Sequence, residues 1–234
     1  MTTSPVLQHA AVEVPSRLTQ TERAYRALKQ RILDNQLPAG TQLLETECAA
    51  LLGMSRTPVR EAMIRVANEG LVEVRPRHGM RVVPISPDDM REIYEVLTGL
   101  ESEAAYLVAA RGCSPSDLAR LDAAVASMEA AVDRGDRDAW AAADERFHLT
   151  LVELTGNRRL VTAVNAHWEQ SHRARMTTLH LRELPTRSNA DHGALVRAIR
   201  AGNKALAREV HHDHRARSGA QLVELLERHR LHSV

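Results

Sequence analysis

From Thr19 onward, hydrophobic positions recur at intervals of three and four. Tyr25, Leu28, Ile32 and Leu33 form one stripe, with Arg23, Arg26, Lys29 and Arg31 between them, which predicts an amphipathic helix. Leu37-Pro38-Ala39-Gly40 stops it with a turn. A second short helix is predicted over Glu45–Leu52, closed by Gly53. A third runs from residue 56 or 58 to 68, because proline at the first helical position loses no hydrogen bond and Thr57-Pro58 suits a start. Two short β-prone runs follow, 71–74 and 80–83. Arg75-Pro76-Arg77-His78-Gly79 joins them into a hairpin with a basic tip. Three helices and a β-ribbon outline a winged helix-turn-helix.

After Pro84-Ile85-Ser86-Pro87 the β signals vanish. A helix opening at Ser86-Pro87 carries Ile93, Leu97, Leu100, Ala104 and Leu107, and Gly112-Cys113-Ser114-Pro115 breaks it. Four further breaks, at Gly135-Asp136, Gly156-Asn157, Pro185 and Gly202-Asn203, separate five more helical stretches, the last reaching about residue 228. Six helices with short breaks make an antiparallel bundle. The expected fold is therefore mainly α: a flexible arm over 1–16, a winged helix-turn-helix over 17–84 and an all-helical bundle over 85–234.

Composition narrows the setting. A hydrophobic share of 44% with 26% charged residues supports an ordinary core and excludes wholesale disorder. No stretch has the length or apolarity of a membrane span, and the first residues lack the pattern of a secretory signal. Cys48 and Cys113 make no disulfide framework, which fits a reducing cytoplasm. The net charge of +1 conceals an asymmetry. Residues 1–84 hold 11 Lys+Arg against 8 Asp+Glu, and the remainder holds 20 against 22. The histidines are uneven too: ten of the 12 lie in the last 87 residues.

Ser55, Arg56, Thr57 and Arg60 stand at the start of the third helix, while Val59, Met63, Ile64 and Val66-Ala67 supply its inward positions. A recognition helix needs this division, since its first turn reaches base edges and phosphates and its other face packs. Arginine can take the two major-groove acceptors of guanine, and a small hydroxyl can bond phosphate. Arg75, Arg77, His78 and Gly79 would flank the duplex as a wing. Charge alone reads as well as an ordinary solvated helix and hairpin.

The order of the residues goes further. Pro38-Ala39-Gly40, Leu51 to Gly53, Ser55-Arg56-Thr57-Pro58-Val59-Arg60-Glu61-Ala62, Glu69-Gly70-Leu71 and His78-Gly79 together resemble, without a gap over about 17–84, the DNA-binding domain of the GntR family of bacterial transcription regulators. The resemblance implies DNA contact by Ser55, Arg56, Thr57 and Arg60, and by His78 and Gly79 at the wing. It also implies a two-fold dimer on a palindromic double-stranded operator. Some members carry an arginine between the two acids of the second helix; this chain has Thr46 between Glu45 and Glu47.

In the bundle, Asp144 and His148 are four apart and share a helix face. Two ligands so spaced can share a metal, and His192, His211, His212 and His214 lie on later helices. By spacing alone, Asp144 and His148 read equally as a simple surface pair. The region from about 87 to 228 resembles the FCD domain of the FadR subfamily of GntR regulators. The pieces that carry the likeness are Asp144-x-x-Phe147-His148, Thr155-Gly156-Asn157, Asp191-His192, Ala201-Gly202-Asn203 and His214. It implies Asp144, His148, His192 and His214 as ligands of a divalent metal (zinc first; nickel, manganese or iron as alternatives), with a small organic acid as effector. His211 and His212 are the weaker histidines by register. Many members have an arginine where Leu97 follows Glu95-Val96, which points to a less acidic or differently shaped ligand, or to an effector anchor elsewhere, at Arg173 and Arg175, with solvent as the other place for at least one of them. His172 is an extra donor on that helix, Trp140 and Trp168 read as core, and Asn157 reads as a helix cap. The expectation is a cytoplasmic, DNA-binding, effector-modulated homodimer. A metal-responsive regulator, a structural metal or a metal-dependent hydrolase are the other readings.

Overall fold

The structure is a computed structural model and describes residues 18–229; the arm expected over 1–16 lies outside the described residues. In the N-terminal part, α1 (Gln20–Leu33), α2 (Glu45–Leu52) and α3 (Arg56–Asn68) precede the hairpin of β2 (Val72–Arg75) and β3 (Gly79–Val82). The Thr19 hydroxyl caps α1 by accepting from the Glu22 amide. Ala24, Leu28, Ile32, Val59, Ala62, Met63, Val66, Leu71, Met80 and Val82 close into one apolar cluster. Within α3 the buried residues are Val59, Ala62, Met63 and Val66, at intervals of three and four. Ile64, expected inside, is 46% exposed, because one step beyond Met63 turns it about 100° off the stripe.

One strand was not anticipated. β1 (Gln42–Leu43) pairs antiparallel with β3, giving the sheet order β1-β3-β2. Two residues are too few to carry a periodic signal. The strand explains Gly79. Its φ is +74°, and an added Cβ would lie 2.1 Å from the Leu43 carbonyl oxygen. Gly79→Ala is therefore expected to destabilise this part of the chain by more than about 2 kcal/mol, measured by chemical denaturation. An unchanged midpoint would show that the strand gives way freely.

The bundle comprises α4 (Pro87–Arg111), α5 (Pro115–Asp133), α6 (Arg137–Leu154), α7 (Arg158–Thr178), α8 (Thr186–Arg200) and α9 (Lys204–Arg228), with a short 3₁₀ turn at Leu179–Leu181. Its breaks fall where the glycine and proline signals placed them. Ser86, Ser114, Asp136, Asn157 and Asn203 each accept a main-chain amide at a helix start, so Asn157 is a cap. A separate apolar cluster begins at Ile85 and includes Leu97, Leu121, Met128, Phe147, Leu151, Leu195, Ile199, Leu222 and Leu226. Trp140 and Trp168 join it with their indole N–H groups satisfied, by Asn189 at 2.8 Å and Glu145 at 3.1 Å. The two longest helices, α4 and α9, lie against each other, close enough that an added Cβ on Gly219 would stand 2.7 Å from the Tyr94 ring. Among the described residues no helix is long and apolar enough to cross a membrane.

Candidate nucleic-acid interface and metal centre

The N-terminal turn of α3 presents Ser55, Arg56, Thr57 and Arg60 to solvent while Val59 and Met63 anchor the opposite side. Ser55 is the N-cap residue, but its hydroxyl makes no cap bond and remains available. The first turn holds no acid, so its free amides and positive dipole end favour a phosphate. Arg56 Nε lies 2.9 Å from Glu45 Oε1 of α2, with the arginine 66% exposed; so exposed a pair orients the side chain more than it stabilises the fold. At the wing, Arg77 and His78 are exposed in the β2–β3 turn, where the His78 amide donates to the Arg75 carbonyl at 3.0 Å. Gly79 is half-buried against β1, and it shapes the wing through its backbone. Cys48 is buried behind this surface, and burial pushes its thiol up to about 11, so it is an inert core group.

In the bundle, four side chains from three helices converge. α6 supplies Asp144 and His148, α8 supplies His192 and α9 supplies His214, all buried, each offering one donor atom within 4.8 Å of the others. His192 sits well inside α8, which starts at Thr186. His192 Nε2 is 3.3 Å from His148 Nε2 and 3.5 Å from Asp144 Oδ1, and His148 Nε2 is 3.6 Å from the same oxygen. Donors bound tetrahedrally at the usual zinc distances of roughly 2.0–2.1 Å stand about 3.3 Å apart, so the set fits an ion at its centre.

The surroundings orient these donors. Glu101 Oε2 of α4 lies 2.7 Å from His148 Nδ1 and 3.3 Å from His211 Nε2, while its other oxygen lies 3.1 Å from Arg215. A carboxylate on one ring nitrogen leaves the other facing the ligand cluster. His214 Nδ1 is similarly 3.4 Å from Asp191. Arg175 of α7 donates to the second oxygen of Asp144. Burial pushes the Asp144 and Glu101 carboxyls up, but Arg175 and His148 for one, and Arg215 and His148 for the other, outweigh it and hold both well below the usual range. Burial pushes His192 and His214 well down, toward the neutral imidazole that binds metal. It pulls His148 down too, but Glu101 and Asp144 outweigh it and raise this ring. His211 belongs to Glu101, with burial lowering it to about 4, and His212 is exposed. His172 faces Glu145 at 3.6 Å, outside the ligand cluster.

Residues 20–82 match the bacterial regulatory proteins of the gntR family, and residues 92–230 match the FCD domain. The chain belongs to the GntR family. Among relatives of this GntR regulator, an HTH-type transcriptional regulator in the TAR-I ttuE-ttuC' intergenic region of Agrobacterium vitis is 43% identical, over 64% of this chain and 89% of its own. A probable D-xylose utilization operon transcriptional repressor of Paenarthrobacter nicotinovorans is 33% identical, over 82% of this chain and 84% of its own. E. coli McbR/YncC shares the fold, with a TM-score of 0.76 at 23% identity over 89% of this chain and 99% of that one. The regulator is a DNA-binding transcription factor and not an enzyme, and its FCD architecture fits the FadR-like subfamily.

The departures in this GntR regulator acquire a setting. Thr46 is exposed beside Glu45, and Leu97 is fully buried in the bundle core. Arg173 and Arg175, paired in the sequence reading, do not share a pocket. Two residues apart on α7, they leave opposite sides of the helix. Arg175 reaches Asp144, whereas Arg173 is buried with Nε and Nη2 unpartnered. Glu101 and Arg215 were missed by sequence reasoning. A signal existed for the first: Glu101 falls in phase with Leu97, Ala104 and Val108 on the buried face of α4, where an acid needs a partner.

Proposed function

We propose that this regulator binds a palindromic double-stranded operator as a homodimer in the cytoplasm, represses transcription there, and is controlled by a small organic carboxylate at a divalent metal centre held by Asp144, His148, His192 and His214. The observation that carries the metal centre is the convergence of four buried donors within 4.8 Å of one another, three of them at 3.3–3.6 Å spacings. Three imidazoles and one carboxylate favour zinc and suit nickel, manganese or iron. When bound, such an ion supplies Lewis acidity toward a carboxylate oxygen. Arg175 is the charged donor at its edge, with Nη1 unpartnered, placed to take an effector oxygen. Repression is supported by the repressor named among its relatives. Paired half-sites are supported by physics, since one helix reading a few base pairs discriminates weakly.

A second reading follows from the same distances. Four protein donors close a tetrahedral zinc site, which then serves structure or senses metal itself, whereas an ion that prefers six ligands keeps two positions for an acid. One titration separates them. Operator binding is followed by fluorescence anisotropy for metal-loaded and chelator-stripped protein, with and without a panel of small organic acids. Control by an acid is expected to shift the operator midpoint in the loaded protein alone. A shift on chelation with no acid effect selects metal sensing, and no response to either sinks both forms of control.

A further inference from the structure

The far end of the recognition helix is tied to the bundle. Lys29 of α1, with its side chain only 15% exposed, lies between two carboxylates: Nζ is 2.9 Å from Glu69 Oε2 and 2.6 Å from Glu169 Oε1. The same ammonium donates to the Tyr25 hydroxyl at 2.7 Å, and that hydroxyl donates to Glu69 Oε1 at 2.6 Å. One hydrogen bond goes to Tyr25, and the two carboxylates flank the ammonium as ion pairs. Glu69 is the residue that ends α3, and Glu169 belongs to α7. Beside it, Gln170 Nε2 donates to the Glu69 main-chain carbonyl at 3.1 Å. Gly70 leaves room for that amide, since an added Cβ there would stand 3.2 Å from it.

The covalent connection alone would permit a swivel. β3 ends at Val82 and α4 begins at Pro87, with Ile85 between them buried in the bundle cluster. A second attachment away from that axis removes the rotation, and Lys29 with Glu169 provides it. α7 is also the helix whose Arg175 holds Asp144, six residues beyond Glu169, or about 9 Å along the axis.

We propose that Lys29 is a positioning residue for operator recognition: held by Glu169 of the bundle and by Glu69 at the end of α3, it fixes the attitude of the recognition helix to α7. The inference rests on DNA reading by α3 and does not require the metal. Neither Lys29 nor Glu169 belongs to the DNA-reading set of α3 and the wing, so each acts through another group.

The test uses the full chain and two duplexes of equal length, one selected in vitro by the wild-type protein and one scrambled. Lys29→Gln and Glu169→Gln are each expected to weaken binding to the selected duplex by about three- to tenfold, with the double variant no worse than either single one. Binding to the scrambled duplex stays unchanged, and Lys29→Arg restores most of the loss. Simple charge effects give a different pattern: removing a cation weakens and removing an anion strengthens binding, on both duplexes alike. That pattern, additive losses or no effect of Glu169→Gln on the selected duplex overturns the proposal.

Discussion

Replacing Arg56 and Arg60 together by alanine is expected to lower operator affinity at least about a hundredfold while leaving the melting temperature within a degree or two of wild type. Both arginines are exposed on the first turns of α3, so neither contributes to the core formed by Val59, Ala62, Met63 and Val66. Arg56 loses only its pair with Glu45, which at 66% exposure is worth little. An arginine that reads a base accounts for about 1–3 kcal/mol, and in the proposed two-fold dimer every loss counts twice. The salt dependence separates base from phosphate contacts, because its slope falls by about one unit for each phosphate contact removed. Specific binding retained by the double variant would show that the helix does not read the operator.

His148→Ala is expected to reduce metal affinity by more than about a hundredfold, with a fall in thermal stability that added zinc no longer reverses. The variant removes the donor whose Nε2 faces Asp144 and His192, and it takes from the fully buried Glu101 the partner bonded at 2.7 Å, leaving it Arg215 and His211. Losing one partner of a buried carboxylate and opening a cavity both cost stability, so part of the fall is independent of metal. Glu101→Gln separates the two effects. It keeps an acceptor for the ring but loses the charge that polarises it, and it leaves Arg215 without its counter-ion. Its expected loss of metal affinity is about ten- to a hundredfold. Competition with a chromophoric chelator measures both variants. Wild-type affinity in His148→Ala would remove the metal centre from the proposal.

Much of the site was legible because it is written locally. Ser55, Arg56, Thr57 and Arg60 follow a helix start whose position Thr57-Pro58 marks, and the exposure of all four depends only on the phase of Val59, Met63 and Val66. Asp144 and His148 share a face by the geometry of a single helix. The GntR resemblance then joined these local pieces, carrying His192 and His214 by register rather than by any physical signal in their own neighbourhoods. The reading failed where partners are distant in sequence. β1 is two residues long and exists because β3 has an open edge beside it. Arg173 and Arg175 looked equivalent as neighbours in a string, but a helix sends residues two apart to opposite sides.

By itself the sequence determined the helix boundaries, the winged helix-turn-helix followed by a bundle, and which side chains stand exposed at the start of α3. All of these follow from periodicity, capping and turn chemistry within a few residues. Only the tertiary structure decided where His211, the histidine left over on the helix of His214, goes. His211 and His214 lie three residues apart on α9 and both are buried, yet one falls to Glu101 and the other to the cluster with Asp144, His148 and His192. It alone placed Lys29 between Glu69 and Glu169, residues 40 and 140 positions along the chain. Helix packing sets such meetings, because the apolar stripe that packs α1 on α3 and the one that seats α7 in the bundle carry their polar neighbours with them.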